Sequence, residues 1–275
     1  MNYIDCKSVR DKILEDVKSR NPGNLRLAII QVEGDDASDV YVRNKVKTAK
    51  SVGIDCGVVK CGKNVSYGEL VTVIKHYNDR DDITGVMLQL PLPDHLKPYE
   101  RELLDCISWY KDVDGLSTES VGRLWSDLPC IVPATPGGIM HLLPEDLSGR
   151  NVVIVNRSNL IGKPLNKLLL DRNASVEICH SKTRWLYDHT SKANIVITGV
   201  GIPQHFVDLH FENYQVWIDC GINRDENGKL CGDINLRDMR YFENEVTPVP
   251  GGVGILTTAQ LMANVIRAYE LQKEI

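Results

Sequence analysis

Short apolar segments alternate with stretches of helical spacing along the first half of the chain. The predicted elements are strands over 25–32, 57–59 and 84–90 and helices over 37–52 and 69–77. Gly53 ends the first helix, and Pro91 and Pro93 end the third strand. Repeated alternation of strand and helix predicts an α/β fold, with a mostly parallel sheet covered by helices on both faces.

The second half repeats this alternation after a stretch rich in proline and glycine. That stretch, 125–144, is interpreted as a connection between two domains. The following strands are predicted over 151–155, 176–179, 195–198 and 215–219, with helices over 162–170 and, at the end, 257–271. The segment 247–254 holds too much proline and glycine for regular structure and is predicted to be a loop.

Length and charge limit the class of protein. A chain of 275 residues predicts about two domains. A net charge of −5 argues against general electrostatic binding of nucleic acid. The sequence contains no apolar run of the roughly 18 residues that a membrane helix needs, and its start lacks a signal-peptide segment. We therefore expect a cytoplasmic protein without nucleic-acid or membrane partners.

Cysteine and histidine spacing gives no support for a metal site. The eight cysteines form no CxxC motif, so buried, reduced thiols are expected rather than zinc ligands or disulfides. His180 and His189 lack further partners at ligand-like spacing, and His180 is predicted to be hydrogen-bonded. The prediction is that the protein binds no metal.

Tyr41 and Lys45 are four residues apart in a predicted helix, so their side chains project from the same face. A surface lysine whose methylene stem covers a tyrosine ring gives the same spacing. Gln89 favours a chemical role, because it ends a predicted strand and ligands bind beyond the carboxyl ends of parallel strands. A lysine held there by an amide and partly removed from water has a lowered pKa and can act as acid or base.

Asp112 and Asp114 lie in the acidic segment 111–115, for which three interpretations are open. The first is a solvated turn. The second is a metal site, which lacks another carboxylate or histidine at ligand-like spacing. The third is a buried carboxylate that accepts two hydrogen bonds from an amidine-like edge, such as a 2-amino-pyrimidinone.

The loop 156–164 follows a predicted strand, where dinucleotide-binding folds hold phosphate at a helix N-terminus. It lacks the GxGxxG pattern. Enzymes that use NAD place an acidic residue after the next strand, but none occurs here before Asp188. Arg157, Ser181 and Lys182 instead suit a 2′-phosphate. An ordinary polar loop is the alternative; the pattern favours NADP over NAD.

Several segments together resemble one family, the bifunctional methylenetetrahydrofolate dehydrogenase/methenyltetrahydrofolate cyclohydrolases, known as FolD. These segments occur in the same order and at the same spacing as in the family, over nearly the whole chain. Together they are far more specific than any single segment. The segments are 41–47 (YVRNKVK), 85–93 (GVMLQLPLP), 111–115 (KDVDG), 157–158 (RS), 179–183 (CHSKT), 228–233 (GKLCGD) and 247–254 (TPVPGGVG).

The resemblance implies a two-domain α/β enzyme. Residues 1–133 would form a folate-binding catalytic domain completed by the C-terminal helix, 257–275. Residues 134–256 would form a Rossmann-like NAD(P)-binding domain, with folate bound in the cleft between the domains. The resemblance also implies a homodimer joined through the nucleotide-binding domains, and a place in one-carbon metabolism and purine biosynthesis.

Site residues are carried over position by position from the same resemblance. Lys45 would be the catalytic lysine and Gln89 the partner that tunes it. Tyr41 would stack on the folate, and Asp114 would hold its pterin edge. The residues that would contact the NADP cofactor are Arg157, Ser158, Ser181, Cys220, Ile222 and Thr257.

The implied reaction oxidises 5,10-methylenetetrahydrofolate to the methenyl compound with NADP and then hydrolyses it to 10-formyltetrahydrofolate. Two alternatives stay open: a member that has kept mainly the cyclohydrolase activity, and a non-catalytic folate- or nucleotide-binding protein. Intact Lys45, Gln89 and Asp114 argue against the second, because binding alone does not require the lysine.

The chain departs from the family pattern at a few positions. Asn156 replaces the glycine before Arg157, and this larger side chain is expected to crowd the approach of the cofactor. Ile255 replaces a proline and Ala134 a cysteine, and the segment before Tyr41 is one residue shorter. These departures bear on the strength of cofactor binding and on the dehydrogenase step.

Overall fold

The computed structural model describes residues 2–206, 214–235 and 244–275. The chain forms two compact units. The N-terminal unit comprises Lys12–Ala134 and Thr258–Ile275, and the central unit comprises Met1–Asp11 and Thr135–Thr257. Each unit is an α/β structure built on a parallel sheet, which confirms the predicted fold class.

The predicted strands are all present, with bounds within two residues of those expected. The strands are β1 (Asn2–Tyr3), β2 (Arg26–Val32), β3 (Asp55–Cys61), β4 (Gly85–Leu88), β5 (Asn151–Val155), β6 (Ser175–Cys179), β7 (Ile195–Thr198), β8 (Val216–Asp219), β9 (Asn223–Arg224), β10 (Leu230–Cys231) and β11 (Glu245–Val246). The helices are α1 (Cys6–Arg20), α2 (Asp36–Ser51), α3 (Tyr67–Asn78), α4 (Glu100–Leu104), α5 (Thr118–Trp125), α6 (Ala134–Met140), α7 (Gly162–Asp171), α8 (Leu186–Thr190) and α9 (Val253–Glu274), with a 3-10 turn at Lys97–Tyr99.

The sheet of the N-terminal unit has the order β3-β2-β4, with all strands parallel. Alternate residues of β2 point to opposite faces, and each face has its own apolar core. Leu27 and Ile29 pack in the core that includes Val265 of α9, whereas Ile30 packs in the core that includes Leu70 of α3. Helices therefore cover both faces, as the sequence predicts for a parallel sheet.

The central unit contains a six-stranded sheet of order β1-β11-β8-β7-β5-β6, again parallel throughout. Its two faces are also apolar: Val152 and Ile154 pack with Leu165 of α7, and Val153 packs with Trp217 on the opposite side. The strands β9 and β10 form a separate antiparallel hairpin. The parallel arrangement places the loops after β5, β6, β7 and β8 at one edge of the sheet.

Three sequence predictions differ from the structure. The first eleven residues belong to the central unit rather than to the first domain, because β1 pairs with β11. The predicted connection 125–144 contains helix α6, which tolerates Pro136 because N–H groups in a first helical turn have no intrahelical acceptor. Helix α9 begins at Val253, inside the predicted loop 247–254.

Across the three described ranges, every helix is too short or too polar to span a lipid bilayer.

Candidate active site

Lys45 and Gln89 meet at the carboxyl edge of the N-terminal sheet. Gln89 directly follows β4, and its backbone N–H donates to the carbonyl of Ile30, 2.8 Å away, which fixes the end of the strand. Lys45, from α2, donates through Nζ to Oε1 of Gln89 at 2.9 Å. The Gln89 Nε2 group donates to the Leu90 carbonyl, which orients the amide oxygen toward the lysine. The predicted lysine–amide contact is present.

The surroundings of Lys45 disfavour its positive charge. Burial lowers the pKa of the ammonium group below its ordinary value, and the negative charge of Asp114 opposes this shift. The Sδ atom of Met87 lies 3.8 Å from Nζ. Cys56 is a further half-buried neighbour, and burial raises the pKa of its thiol to about 11, so that it stays neutral. The lysine therefore lies among neutral groups with one carboxylate opposite.

Asp114 reaches this place through a short strand-like segment beside β4. The Val86 N–H donates to the Lys111 carbonyl at 2.8 Å, and Val86 pairs with Asp112 in a parallel bridge. Asp114 follows at the carboxyl end of this segment, half-buried. Burial raises the pKa of its carboxyl group, and the positive charge of Lys45 opposes the rise. No hydrogen bond to this carboxylate comes from the described residues, so its acceptors are available to a ligand.

The two acidic residues of this segment differ in their partners. Asp112 is buried and accepts hydrogen bonds from the Ser117 N–H at 2.8 Å and from the Ser120 hydroxyl at 2.7 Å. Lys111 donates to two backbone carbonyls. Among the described residues, neither Asp112 nor Asp114 belongs to a group of three side chains able to hold a metal ion. Asp112 thus has a structural environment, and only Asp114 faces the lysine.

Tyr41 lies one turn before Lys45 on α2, as its spacing predicts, and is 38% exposed.

Sequence reasoning missed Met87 and Cys56 as neighbours of the lysine. Met87 had a usable signal, because it precedes Gln89 by two residues and so shares its face of the strand. Cys56 had none, since its proximity follows from the pairing of β2 with β3.

Most of the predicted cofactor residues lie on loops at one edge of the central sheet. Arg157 and Ser158 follow β5, Ser181 follows β6, and Cys220 and Ile222 follow β8. Strand β5 lies between β6 and β7, so successive loops leave in opposite directions at this point. In parallel α/β sheets such a switch point is where ligands bind.

Asn156 connects the two strands that flank this switch point. Its Nδ2 donates to the Gly199 carbonyl at 2.6 Å, beyond the end of β7. Its Oδ1 accepts from the N–H groups of Ser158 at 2.8 Å and Gly162 at 3.1 Å. The asparagine therefore orders the loop into α7 and occupies two N–H donors that a bound phosphate could otherwise use. This is consistent with the crowding expected from the sequence.

The cationic side chains around these loops are exposed. Arg157 and Lys182 form no ion pair, and Ser181 no side-chain hydrogen bond, with any residue that the structure describes. The ring Nδ1 of His180 accepts the Lys182 N–H at 3.1 Å, so His180 is hydrogen-bonded as predicted. Two free cations and a free hydroxyl fit a phosphate group.

Thr257 lies near the start of α9, and Ile222, from the segment after β8, lies close to the same helix end. The Thr257 hydroxyl is 3.1 Å from both the Thr135 hydroxyl and the Val253 carbonyl. A Cβ atom built on Gly254 would lie 3.9 Å from the end of the Ile222 side chain, so the exposed Ile222 borders the first turn of the helix. Among the described residues, the Thr257 side chain forms no hydrogen bond with the other predicted cofactor residues.

His189 has partners that its sequence spacing does not reveal. Its Nδ1 lies 2.7 Å from a carboxylate oxygen of Glu177, and Cys179 completes a group whose ligand atoms are within 4.8 Å of one another. Glu177 and Cys179 share a face of β6 and meet α8 there. The second ring nitrogen of His189 contacts the Arg184 carbonyl. The ring therefore connects β6 with the loop between β6 and α8.

Comparisons with known proteins assign the chain to a family. The tetrahydrofolate dehydrogenase/cyclohydrolase catalytic-domain profile matches residues 4–114, and the NAD(P)-binding-domain profile of the same family matches residues 133–273. This chain belongs to the tetrahydrofolate dehydrogenase/cyclohydrolase family. The family assignment confirms the resemblance inferred from the sequence motifs.

Family members cover the chain almost completely. The bifunctional protein FolD of Lactococcus lactis is 39% identical over 280 residues, covering 98% of this chain and 97% of the relative. The Streptococcus agalactiae protein of the same name is 42% identical over 276 residues, covering 96% of each chain.

Solved family structures share the fold. The Campylobacter jejuni bifunctional enzyme FolD has a TM-score of 0.92 at 34% identity and covers 98% of each chain. The Trypanosoma brucei methylenetetrahydrofolate dehydrogenase-cyclohydrolase, solved with NADP cofactor and inhibitor, has a TM-score of 0.87 at 28% identity and covers 99% of this chain and 98% of the other.

Proposed function

We propose that this protein oxidises 5,10-methylenetetrahydrofolate to 5,10-methenyltetrahydrofolate with NADP and hydrolyses the product to 10-formyltetrahydrofolate. The contact between Lys45 Nζ and Gln89 Oε1, with Asp114 facing the lysine, is the observation that carries this proposal. The named activities of the relatives support it. The N-terminal unit would bind the folate, and the central unit would bind the cofactor.

Lys45 would move protons during hydrolysis. Water adds to the cationic methenyl carbon, and neutral Lys45 accepts the proton that the water loses. The carbon–N5 bond then breaks, the lysine returns its proton to N5, and the proton of the new hydroxyl group leaves as the formyl C=O forms. One proton is released in total. A lowered lysine pKa supports this role, because an effective proton carrier has a pKa near the working pH.

Gln89 and Asp114 would hold the reacting groups in place. The amide oxygen of Gln89 accepts from either protonation state of Lys45, so the lysine keeps its position while its charge changes. Asp114 would accept two N–H groups from the pterin ring, and Tyr41 would stack on that ring. Both roles fit a carboxylate without other hydrogen-bond donors and an exposed tyrosine one turn from the lysine.

The oxidation step requires alignment rather than acid–base chemistry. NADP, when bound, supplies the acceptor for the hydride. Arg157, Ser158 and Ser181 would bind its phosphates and ribose, with Cys220, Ile222 and Thr257 lining the rest of its site. The exposed guanidinium of Arg157, without an ion pair in the described part of the chain, fits the 2′-phosphate that distinguishes NADP from NAD.

We also propose that the protein is a homodimer that associates through the central unit. Strand β6 is an edge of the six-stranded sheet in the described structure, and Trp185 after it is 78% exposed. Large exposed aromatic groups beside a sheet edge are typical of interfaces. Sedimentation equilibrium should give twice the chain mass. The cytoplasmic location and the link to purine biosynthesis stay predictions.

A spectrophotometric assay tests the proposed activities. NADP-dependent formation of methenyltetrahydrofolate from the methylene compound, and enzymatic loss of the methenyl compound without NADP, should both occur. Parallel assays with NAD should give the lower rate. Hydrolysis without any oxidation would indicate a member that has kept mainly the cyclohydrolase activity, and the absence of both reactions would contradict the proposal.

A further inference from the structure

Two buried carboxylates lie beside the proposed cofactor site but take no part in the chemistry described above. Asp219 ends β8 and is 3% exposed, and Asp233, after the β9–β10 hairpin, is 0% exposed. Neither forms an ion pair with a cationic side chain of the described residues. A buried carboxylate without a cation needs several hydrogen-bond donors to remain ionised.

Asp233 joins the loop after β7 to the segment after β8. Three donors come from the end of β7 and the loop that follows it: the Thr198 hydroxyl at 3.1 Å and the backbone N–H groups of Val200 at 2.6 Å and Gly201 at 3.1 Å. The fourth donor is Nδ2 of Asn223, at 2.8 Å, from the segment after β8. Each carboxylate oxygen of Asp233 thus accepts two hydrogen bonds.

Asp219 completes the connection. It accepts from the backbone N–H groups of Gly221 at 2.8 Å, Asp233 at 3.1 Å and Ile234 at 3.0 Å. The close approach requires glycine on both sides: a Cβ atom on Gly221 would lie 2.3 Å from an Asp233 oxygen, and one on Gly232 would lie 2.0 Å from an Asp219 oxygen. Burial raises the pKa of Asp219 to about 6, which leaves it mainly ionised at neutral pH.

We propose that Asp219 and Asp233 are positioning residues for hydride transfer, because they hold the loops after β7 and β8 in the conformation that NADP requires. Cys220 lies between Asp219 and Gly221, and Ile222 follows Gly221, so the backbone on both sides of Cys220 is tied to this acid pair. The inference rests on the proposed function, which places Cys220 and Ile222 at the cofactor. The proton transfers at Lys45 do not involve the pair.

Asp233→Asn tests the proposal directly. In either orientation the new amide turns its NH₂ group toward a backbone N–H, of Val200 or of Gly201, that can only donate. That N–H loses its acceptor, so the loop after β7 is held less firmly. We expect the KM for NADP to rise about tenfold or more, while kcat for methenyl hydrolysis without NADP stays within about twofold. Methenyl hydrolysis, measured on the same sample, shows whether the variant is folded.

Two further variants keep the test decisive. Thr198→Val removes one donor at nearly constant shape and should raise the KM for NADP about threefold; it decides the question if Asp233→Asn does not fold. Asp225→Asn is the matched control, because the hydrogen bonds that its carboxylate accepts from described residues all come from nearby backbone N–H groups of the hairpin, and it should leave both activities unchanged.

Folded Asp233→Asn and Thr198→Val proteins with an unaltered KM for NADP would overturn the inference. A parallel fall of oxidation and hydrolysis in these variants would also overturn it, since that pattern indicates a general structural role. A wild-type protein without NADP-dependent oxidation would instead contradict the proposed function itself.

Discussion

The candidate folate site of the N-terminal unit and the candidate cofactor site of the central unit are built in opposite ways. In the N-terminal unit the lysine is half-buried and joined to one amide, and its pKa is lowered by its surroundings. In the central unit the cations proposed to meet the cofactor, Arg157 and Lys182, are exposed, whereas Asp219 and Asp233 are buried and accept hydrogen bonds from the protein's own loops.

This contrast follows from what each of the two sites is proposed to do. Proton transfer near neutral pH requires a group whose pKa differs from its ordinary value, and removal from water supplies that shift. Phosphate binding requires cations that stay charged, which exposure preserves. Substitutions at Lys45 and Gln89 should therefore change rate constants and their pH dependence, and substitutions of the cations in the central unit should change affinity for the cofactor.

Loss of the lysine should have the largest effect. Lys45→Met removes the proposed proton carrier at similar length, and methenyl hydrolysis should fall about 10²–10⁴-fold with the fold intact. NADP-dependent oxidation should remain measurable, because hydride transfer needs no proton carrier. Lys47→Met, at an exposed position of the same helix, is the control and should hydrolyse normally. Near-normal hydrolysis by Lys45→Met would contradict the role of Lys45 as the proton carrier.

The folate-binding role of Asp114 should give the next largest effect. Asp114→Asn replaces one acceptor oxygen by a donor, so folate binding should weaken on the order of 10- to 100-fold, with both activities depressed together. Titration with the folate substrate measures the affinity. A metal role predicts inactivation of the wild-type protein by EDTA; that result, or normal folate binding by the variant, would contradict this assignment.

Arg157→Ala should sharpen the contrast on the cofactor side. Loss of an exposed guanidinium should weaken NADP binding about tenfold and NAD binding much less, because only NADP carries the 2′-phosphate. Methenyl hydrolysis should be unchanged. Arg150→Ala, just before β5 at the opposite end of the strand, is the matched control. Equal losses for both cofactors, measured by titration, would speak against phosphate recognition by Arg157.

A change of charge next to the lysine should give the smallest effect. It should shift the pH dependence of hydrolysis rather than abolish the activity. Gln89→Glu places a carboxylate where the amide oxygen now lies 2.9 Å from Nζ, which favours the ammonium form and raises the lysine pKa. If neutral Lys45 is the proton acceptor, hydrolysis rises with pH through this pKa. The rising limb should therefore move to higher pH in the variant, relative to the uncatalysed rate in the same buffers. If the rise of the hydrolysis rate stays at the same pH in the variant, Lys45 is not the proton acceptor.

Much of the fold could be predicted because buried parallel strands are long apolar runs. Helix α1 was missed because only a narrow stripe of it, Cys6, Ile13 and Val17, is buried, and its other positions are largely polar. Helix α6 was missed because its proline and glycine resemble a loop. The two-residue strands β1 and β11 carry no periodic pattern at all, yet they determine which unit holds the first eleven residues.

The candidate site was predictable where local rules apply. Helical spacing and the end of a strand were enough to bring Lys45 and Gln89 together. The Asp219–Asp233 pair was not predicted, since its members are separated in sequence by the β9–β10 hairpin and meet only in the folded loops. One signal was present: a charged residue that ends an apolar strand, as Asp219 does, must have partners when buried.

The protonation state of Lys45 is the central claim, and an NMR titration of its Cε and Hε resonances tests it most directly. The Lys45 resonances are assigned by comparison with Lys45→Met. We expect the midpoint for Lys45 to lie below the ordinary lysine value of 10.5. A Lys45 midpoint at or above 10.5 would contradict the account of a desolvated lysine as proton carrier.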